Sequence, residues 1–361
     1  MMLALFFLLI AGAEPDSIIE LYPGFSPRRY VCYRTESPLC IDGRIDEEAW
    51  QEAGWTEEFV DIEGPAKPAP LFRTQATMLW DDDYFYVAAR LDEPHLWANL
   101  TKRDSVIFYD NDFELFIDPD GDTHRYYELE MNALNTVWDL FLDRPYRDQG
   151  CAVFCWDMDG LKTGVHLDGT LNNPTDTDKG WSVEIAIPWS VLNECAGCAC
   201  PPEQGDQWRL GFSRVEWQVE VEDGRYEKVK DPKTGKSLPE YNWVWSPQGA
   251  INMHMPERWG FVQFSEKVAG TGTDGFVFNP AENAKWVLRQ VYYAQGRYFE
   301  KHNAFTSDLT ALGILPLKAE GFVWPPEIRQ TWSLFEARLE SREGSDAWHI
   351  DNLGRVWRSS R

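Results

Sequence analysis

The side chains with the plainest chemical potential are carboxylates. Asp118-Pro119-Asp120-Gly121-Asp122 places three of them at alternate positions around a glycine turn. Calcium loops have this arrangement, and so do ordinary acidic hairpin turns. Asp118, Asp120 and Asp122 are therefore candidate ligands for a structural calcium ion, and no other cofactor is called for. A glycoside hydrolase needs two carboxylates facing each other across a cleft. Among 59 acidic residues such pairs arise by chance, and no motif selects one. The six histidines lack H-E-x-x-H spacing, and there is no G-x-S-x-G elbow. Cys195-x-x-Cys198-x-Cys200 suggests zinc but has no convincing fourth ligand nearby. Disulfides are the preferred reading of the seven cysteines, with Cys32 and Cys40 able to bridge a local hairpin.

Composition narrows the partners. The net charge is −25, from 34 basic against 59 acidic residues, which excludes nucleic acid as a partner because phosphate recognition needs a basic surface. A neutral sugar polymer is compatible with that charge. With 18 Trp, 14 Tyr and 20 Phe, some indole and phenol faces are expected near the surface as well as in the core. Leu3 to Ile10 is an unbroken apolar run followed by Ala11-Gly12-Ala13. This pattern predicts a signal peptide over residues 1–13 and a secreted, periplasmic or cell-surface location. The run is too short to span a bilayer, and no later segment qualifies.

These side chains must be positioned by strands. Thr77 to Trp80 and Tyr84 to Leu91 flank Asp81-Asp82-Asp83 and read as a hairpin. Asp112 to Asp118, Tyr127 to Asn132, Trp181 to Ile187 and Trp208 to Val215 alternate with period two. Many short strands between Gly, Pro and Asp turns predict an all-β protein, an antiparallel β-sandwich over residues 14–266. If Phe113, Leu115 and Ile117 face the core, Glu114 lies on the opposite face; Glu130 and Asn132 do the same if Leu129 and Met131 point inward. A short helix is expected over Asp46 to Ala53, with Asp46 as cap and Trp50 packed inward.

Residues 267–276 read as a linker. Asn279-Pro280-Ala281-Glu282 then opens a helix with an aromatic stripe through Trp286, Tyr292 and Tyr298. Two strands, Gln330 to Leu339 and Ala347 to Trp357, complete a small α+β C-terminal appendage over residues 277–361.

Ile41-Asp42-Gly43-Arg44-Ile45-Asp46-Glu47-Glu48-Ala49-Trp50 resembles the opening motif of carbohydrate-binding module family 9. The order of later segments is similar too: the Trp80 to Val87 hairpin, Asp112 to Asp118, Glu184-Ile185-Ala186-Ile187-Pro188-Trp189 and Trp259-Gly260-Phe261. The resemblance covers roughly residues 30–265 and implies a β-sandwich that binds sugar chains without chemistry of its own. Such modules are often attached to xylanases and other glycoside hydrolases, which ties this chain to carbohydrate catabolism.

By the same resemblance, Glu114 and Asn132 fall where the family carries sugar-contacting polar residues. Phe108, with Tyr109 beside it, stands where the family has an aromatic platform. Met253-His254 occupies the stretch of a second platform, and Glu130 replaces an Arg used for hydroxyl contacts. Trp217 and Trp245 are further stacking candidates. The expectation is an exported, non-catalytic binder of a polysaccharide or oligosaccharide. Its alternatives are a hydrolase acting on O-glycosyl bonds and a calcium-stabilised surface or adhesion protein.

Overall fold

The computed structural model describes residues 27–360 except 198, 315, 316, 318 and 345. The expected signal peptide lies outside the described residues. Those described fall into two compact units, 27–279 and 280–360.

The larger unit contains β1 (Arg29–Arg34), β2 (Val60–Asp61), β3 (Thr74–Trp80), β4 (Tyr84–Asp92), β5 (Asp112–Asp118), β6 (Tyr126–Asn132), β7 (Val137–Leu142) and β8 (Ala152–Val153). It continues with β9 (Lys162–Asp168), β10 (Gly180–Pro188), β11 (Gln207–Glu216), β12 (Val219–Glu222), β13 (Arg225–Lys228), β14 (Tyr241–Val244) and β15 (Gly260–Val268). Along the main sheet the order is β8-β7-β6-β5-β11-β15-β1-β3-β4-β10-β9, with β14 and β2 attached to β11.

The sheet folds over one core, because alternate side chains of both halves are apolar. Met78, Trp80, Phe85 and Val87 meet Phe113, Leu115, Ile117, Leu129 and Phe212 in a single buried cluster. The pairing is not wholly antiparallel: β1 runs parallel to both β15 and β3 and so joins the two layers. Parallel neighbours need long connections, and residues 35–73 supply one between β1 and β3. The β3–β4 hairpin is closed by Asp81, whose Oδ1 accepts the N–H groups of Asp83 and Tyr84, both at 2.8 Å.

The opening motif has a structural role. Glu184 on β10 is buried, and its Oε1 accepts the Trp50 indole N–H at 2.7 Å. Its Oε2 accepts the backbone N–H groups of Asp42 at 3.0 Å and Gly43 at 2.8 Å. Gly43 has φ +88°, and a Cβ there would lie 2.3 Å from the Val165 carbonyl carbon. Only glycine fits both conditions. The following helix α1 (Glu48–Glu52) buries Trp50 as expected, but Asp46 does not cap it: the flanking residue is Glu47, without a side-chain cap bond.

The expected linker stretch is bonded within the larger unit. Asp274 accepts from Ser265 Oγ at 2.6 Å and pairs with Lys267 Nζ at 2.5 Å. The expected local bridge between Cys32 and Cys40 is corrected: both are free, Cys32 buried in the core and Cys40 exposed. Cys151, Cys155 and Cys195 are free as well.

In the smaller unit α3 (Ala281–His302) follows a short loop helix α2 (Trp189–Leu192) of the larger one in chain order and precedes α4 (Leu309–Leu312). Ala284, Leu288 and Val291 of α3 pack with Ala337, Leu339 and Ile350 in a separate core. Instead of two strands, the described residues form four: β16 (Glu327–Gln330), β17 (Phe335–Glu340), β18 (Asp346–Asp351) and β19 (Val356–Ser360), paired antiparallel in that order. The second expected strand breaks at Asp351, whose Oδ1 accepts the N–H groups of Leu353 and Arg355 around a left-handed Gly354. No described helix is long and apolar enough to cross a membrane.

Candidate functional site

The outer face of β5, β6 and β11 carries the residues singled out from the sequence. Register places Asp112 opposite Asn132 and Glu114 opposite both Glu130 and Ser213, so these side chains share one face. The alternation argument therefore holds. The degree of burial was not foreseen: Glu114 is 4% exposed and Asn132 0%.

Asn132 uses its amide fully. Its Nδ2 donates to Leu100 O and Asp110 Oδ2, both at 2.9 Å, and its Oδ1 accepts from Leu134 N and Thr136 N. Asn132, expected to contact sugar, is wholly buried in this arrangement. It is a buttress, and what it supports is Asp110. Asp110 Oδ2 also accepts the N–H groups of Asn99 and Leu100 at 2.8 Å, fixing the 97–100 loop.

Glu114 belongs to a group of buried acids with Asp112, Glu128 and Glu130. Burial raises all four above the usual carboxylate range, Glu114 to about 7, and the neighbouring negative charges push Asp112, Glu128 and Glu130 up further. Glu130 Oε2 accepts the Phe108 N–H at 3.0 Å, while Phe108 O accepts the Trp217 indole N–H at 2.8 Å. The Ile107–Tyr109 turn is thus held from both sides of Phe108. Phe108 is half-buried against two apolar clusters, one containing Ile107 and Trp259 and the other Trp97 and Trp217, leaving Tyr109 as the exposed ring at 55%.

The other candidates are placed differently. Trp245 is wholly inside the sandwich core and offers no stacking face, because β14 continues with its alternate side chains inward. Trp217 is buried as well, with the Lys228 ammonium 3.3 Å from its ring centroid. His254 is bonded through Nδ1 to Tyr126 OH at 3.0 Å and packs edge-on to Tyr146. Burial, with Arg147 adding to it, lowers its pKa to about 3, so the ring is neutral. The carboxylates of Asp118, Asp120 and Asp122 accept backbone N–H groups of their own loop, from Gly121, Thr123, Asp122 and His124.

An open groove lies beside the Tyr109 turn. Its volume is about 690 Å³, and it is lined by Trp97, Asn99, Tyr109, Asp110, Tyr226 and Lys228, among others. That volume is in the range of small-ligand sites. One wall is the 97–110 region held by Asp110 and Asn132; the other is the separate β12–β13 hairpin, which brings Tyr226 and Lys228. Burial lowers Lys228 to about 8. The groove offers an aromatic ring for the apolar face of a sugar, and amide, carboxylate and ammonium groups for its hydroxyls. Trp97, Asn99 and Lys228 escaped the sequence reading, since loop residues have no periodicity; only the density of aromatic residues hinted at them.

Residues 41–226 match the family model described as "Carbohydrate family 9 binding domain-like". The chain belongs to this family. The match begins at the motif that Glu184 organises and ends in β13 at the groove. Two solved structures of a carbohydrate binding module family 9 from Caldicellulosiruptor kristjanssonii are similar to this family member. The one in complex with cellotriose is 17% identical over 69% of this chain and 99% of that chain, with a TM-score of 0.43. The one in complex with glucose is 16% identical over 68% of this chain and all of that chain, at a TM-score of 0.42. No curated protein matches.

Proposed function

We propose that this family member binds a neutral polysaccharide or oligosaccharide in the groove beside Tyr109, without catalysing its cleavage. The observation that carries the reading is the exposed Tyr109 ring on a turn fixed by Glu130 and Trp217, at the edge of a groove with polar walls. Stacking of a pyranose face on that ring supplies affinity, and Asn99 and Lys228 supply hydroxyl contacts. The net charge of −25 favours uncharged glycans over acidic ones. The Leu3 to Ile10 run supports export to the compartment where such polymers occur.

The test is affinity electrophoresis and calorimetry against xylan, cellulose derivatives and their oligomers. Binding should weaken about tenfold or more in Tyr109→Ala and persist in Tyr109→Phe, since one stacked ring contributes roughly 0.5–1.5 kcal/mol beyond its buried area. Silence across the panel, or a folded Tyr109→Ala chain that binds as well as wild type, overturns the reading.

A further inference from the structure

The four-stranded sheet of the smaller unit turns one face to α3, through Ala337, Leu339 and Ile350. By alternation Glu336, Arg338 and Glu340 of β17, His349 of β18 and Trp357 and Ser359 of β19 point the other way. His349 stands opposite Arg338 on one side and Trp357 on the other. Glu336 and Ser359 each lie one step further along those strands, in opposite directions, so that Glu336, His349 and Ser359 run diagonally across three strands.

The imidazole joins the other two groups. His349 Nδ1 meets Glu336 Oε1 at 2.8 Å, and Nε2 meets Ser359 Oγ at 2.7 Å. The partners fix the roles of the two nitrogens. An ionised carboxylate only accepts, so Nδ1 carries the proton and donates to Glu336. The neutral ring then keeps a lone pair on Nε2, which accepts the Ser359 hydroxyl proton. Trp357 stacks on the ring with centroids 5.1 Å apart and 11° between planes, and His349 is 8% exposed. Other acids on this face are engaged elsewhere. Asp351 Oδ1 accepts the N–H groups of Leu353 and Arg355, and Glu340 pairs with Arg338 at 2.6 Å.

A hydroxyl, an imidazole and a carboxylate in series, each pair within hydrogen-bond reach, is the arrangement that makes a serine nucleophilic. We infer that Ser359, His349 and Glu336 form an acyl-transfer site that hydrolyses short-chain esters. Ser359 Oγ attacks the ester carbonyl carbon while its proton passes to His349 Nε2. The carbon–oxygen bond to the alcohol breaks, and the departing oxygen takes that proton. Water, deprotonated by the same nitrogen, then cleaves the acyl-serine, releasing a carboxylic acid and restoring the hydroxyl. Glu336 is a positioning residue: it holds the ring and offsets the charge the ring gains. Arg338 brings a guanidinium to the face on which negative charge develops. The Glu336 side chain is 42% exposed and Ser359 is partly exposed, so the site is shallow and holds little of an acyl chain. Acetyl and similarly small acyl groups suit it. The site lies outside residues 41–226, which match the family, and is independent of the glycan reading.

The experiment treats the full chain with a fluorophosphonate probe, maps the modified residue by mass spectrometry and follows p-nitrophenyl acetate hydrolysis without glycan. The expected result is modification at Ser359 and a rate that falls about a hundredfold or more in Ser359→Ala. Glu336→Gln should lower kcat about tenfold or more with KM nearly unchanged, a split that loosened packing alone would not produce. Tm is measured beside each rate; if one variant fails to fold, the other carries the comparison. A folded wild-type chain that the probe leaves unmodified at Ser359 overturns the inference. So does a folded Ser359→Ala chain that hydrolyses the ester as fast as wild type, or a folded Glu336→Gln chain with unchanged kcat.

Discussion

Replacing Glu184 by Gln tests the account of the opening motif. The substitution keeps size and shape but removes the charge and turns one acceptor into a donor. Three N–H groups converge on this carboxylate, one on Oε1 from Trp50 and two on Oε2 from Asp42 and Gly43. The better amide orientation keeps the two turn bonds and sets the NH2 against the indole N–H of Trp50, which is wholly buried. An orphaned buried donor costs about 1–3 kcal/mol, and losing charge assistance on the two remaining bonds adds about 1 kcal/mol. The sum is about 2–4 kcal/mol, or a fall in Tm of roughly 5–15 °C for a unit of this size. Urea denaturation followed by tryptophan fluorescence at pH 8, repeated in a Trp50→Phe background, measures both the cost and its source. Without the indole N–H the Gln substitution should cost about 1–2 kcal/mol less. The reasoning is refuted if Glu184→Gln lies within about 0.5 kcal/mol of wild type, or if its cost is unchanged beside Trp50→Phe.

Gly43→Ala should destabilise by about 3 kcal/mol or more, since its Cβ meets the Val165 backbone at 2.3 Å and φ is +88°; a soluble chain with unchanged Tm would contradict the packing described. Burial raises Glu114 from 4.5 to about 7, so the folded state holds its proton more tightly than the unfolded one. Its contribution is therefore fully present below pH 4.5 and is lost as pH rises through 7, a change of about 3 kcal/mol. Denaturation curves at pH 5 and pH 8 should show this fall in wild type and a smaller one in Glu114→Gln; equal falls would remove the assignment. Trp217→Phe deletes the indole bond to Phe108 O and should weaken glycan binding several-fold while costing about 1 kcal/mol of stability, as read by calorimetry and Tm together.

The sequence by itself determined the layers and the faces. Period-two alternation in Asp112–Asp118 and Tyr126–Asn132 was enough to put Glu114, Glu130 and Asn132 on one side, because a strand sends successive side chains to opposite faces whatever surrounds it. The Asn279-Pro280 helix start was legible for a similarly local reason. Only the tertiary structure decided what lies above a face. Asn132 became a buttress because the 97–110 loop folds over it, and Trp245 became core because β14 joins β11 at the register observed. The groove needed residues 97, 109 and 228, far apart in the chain, to meet. Such meetings depend on loop paths and long-range pairing, which leave no periodic mark on the residues involved.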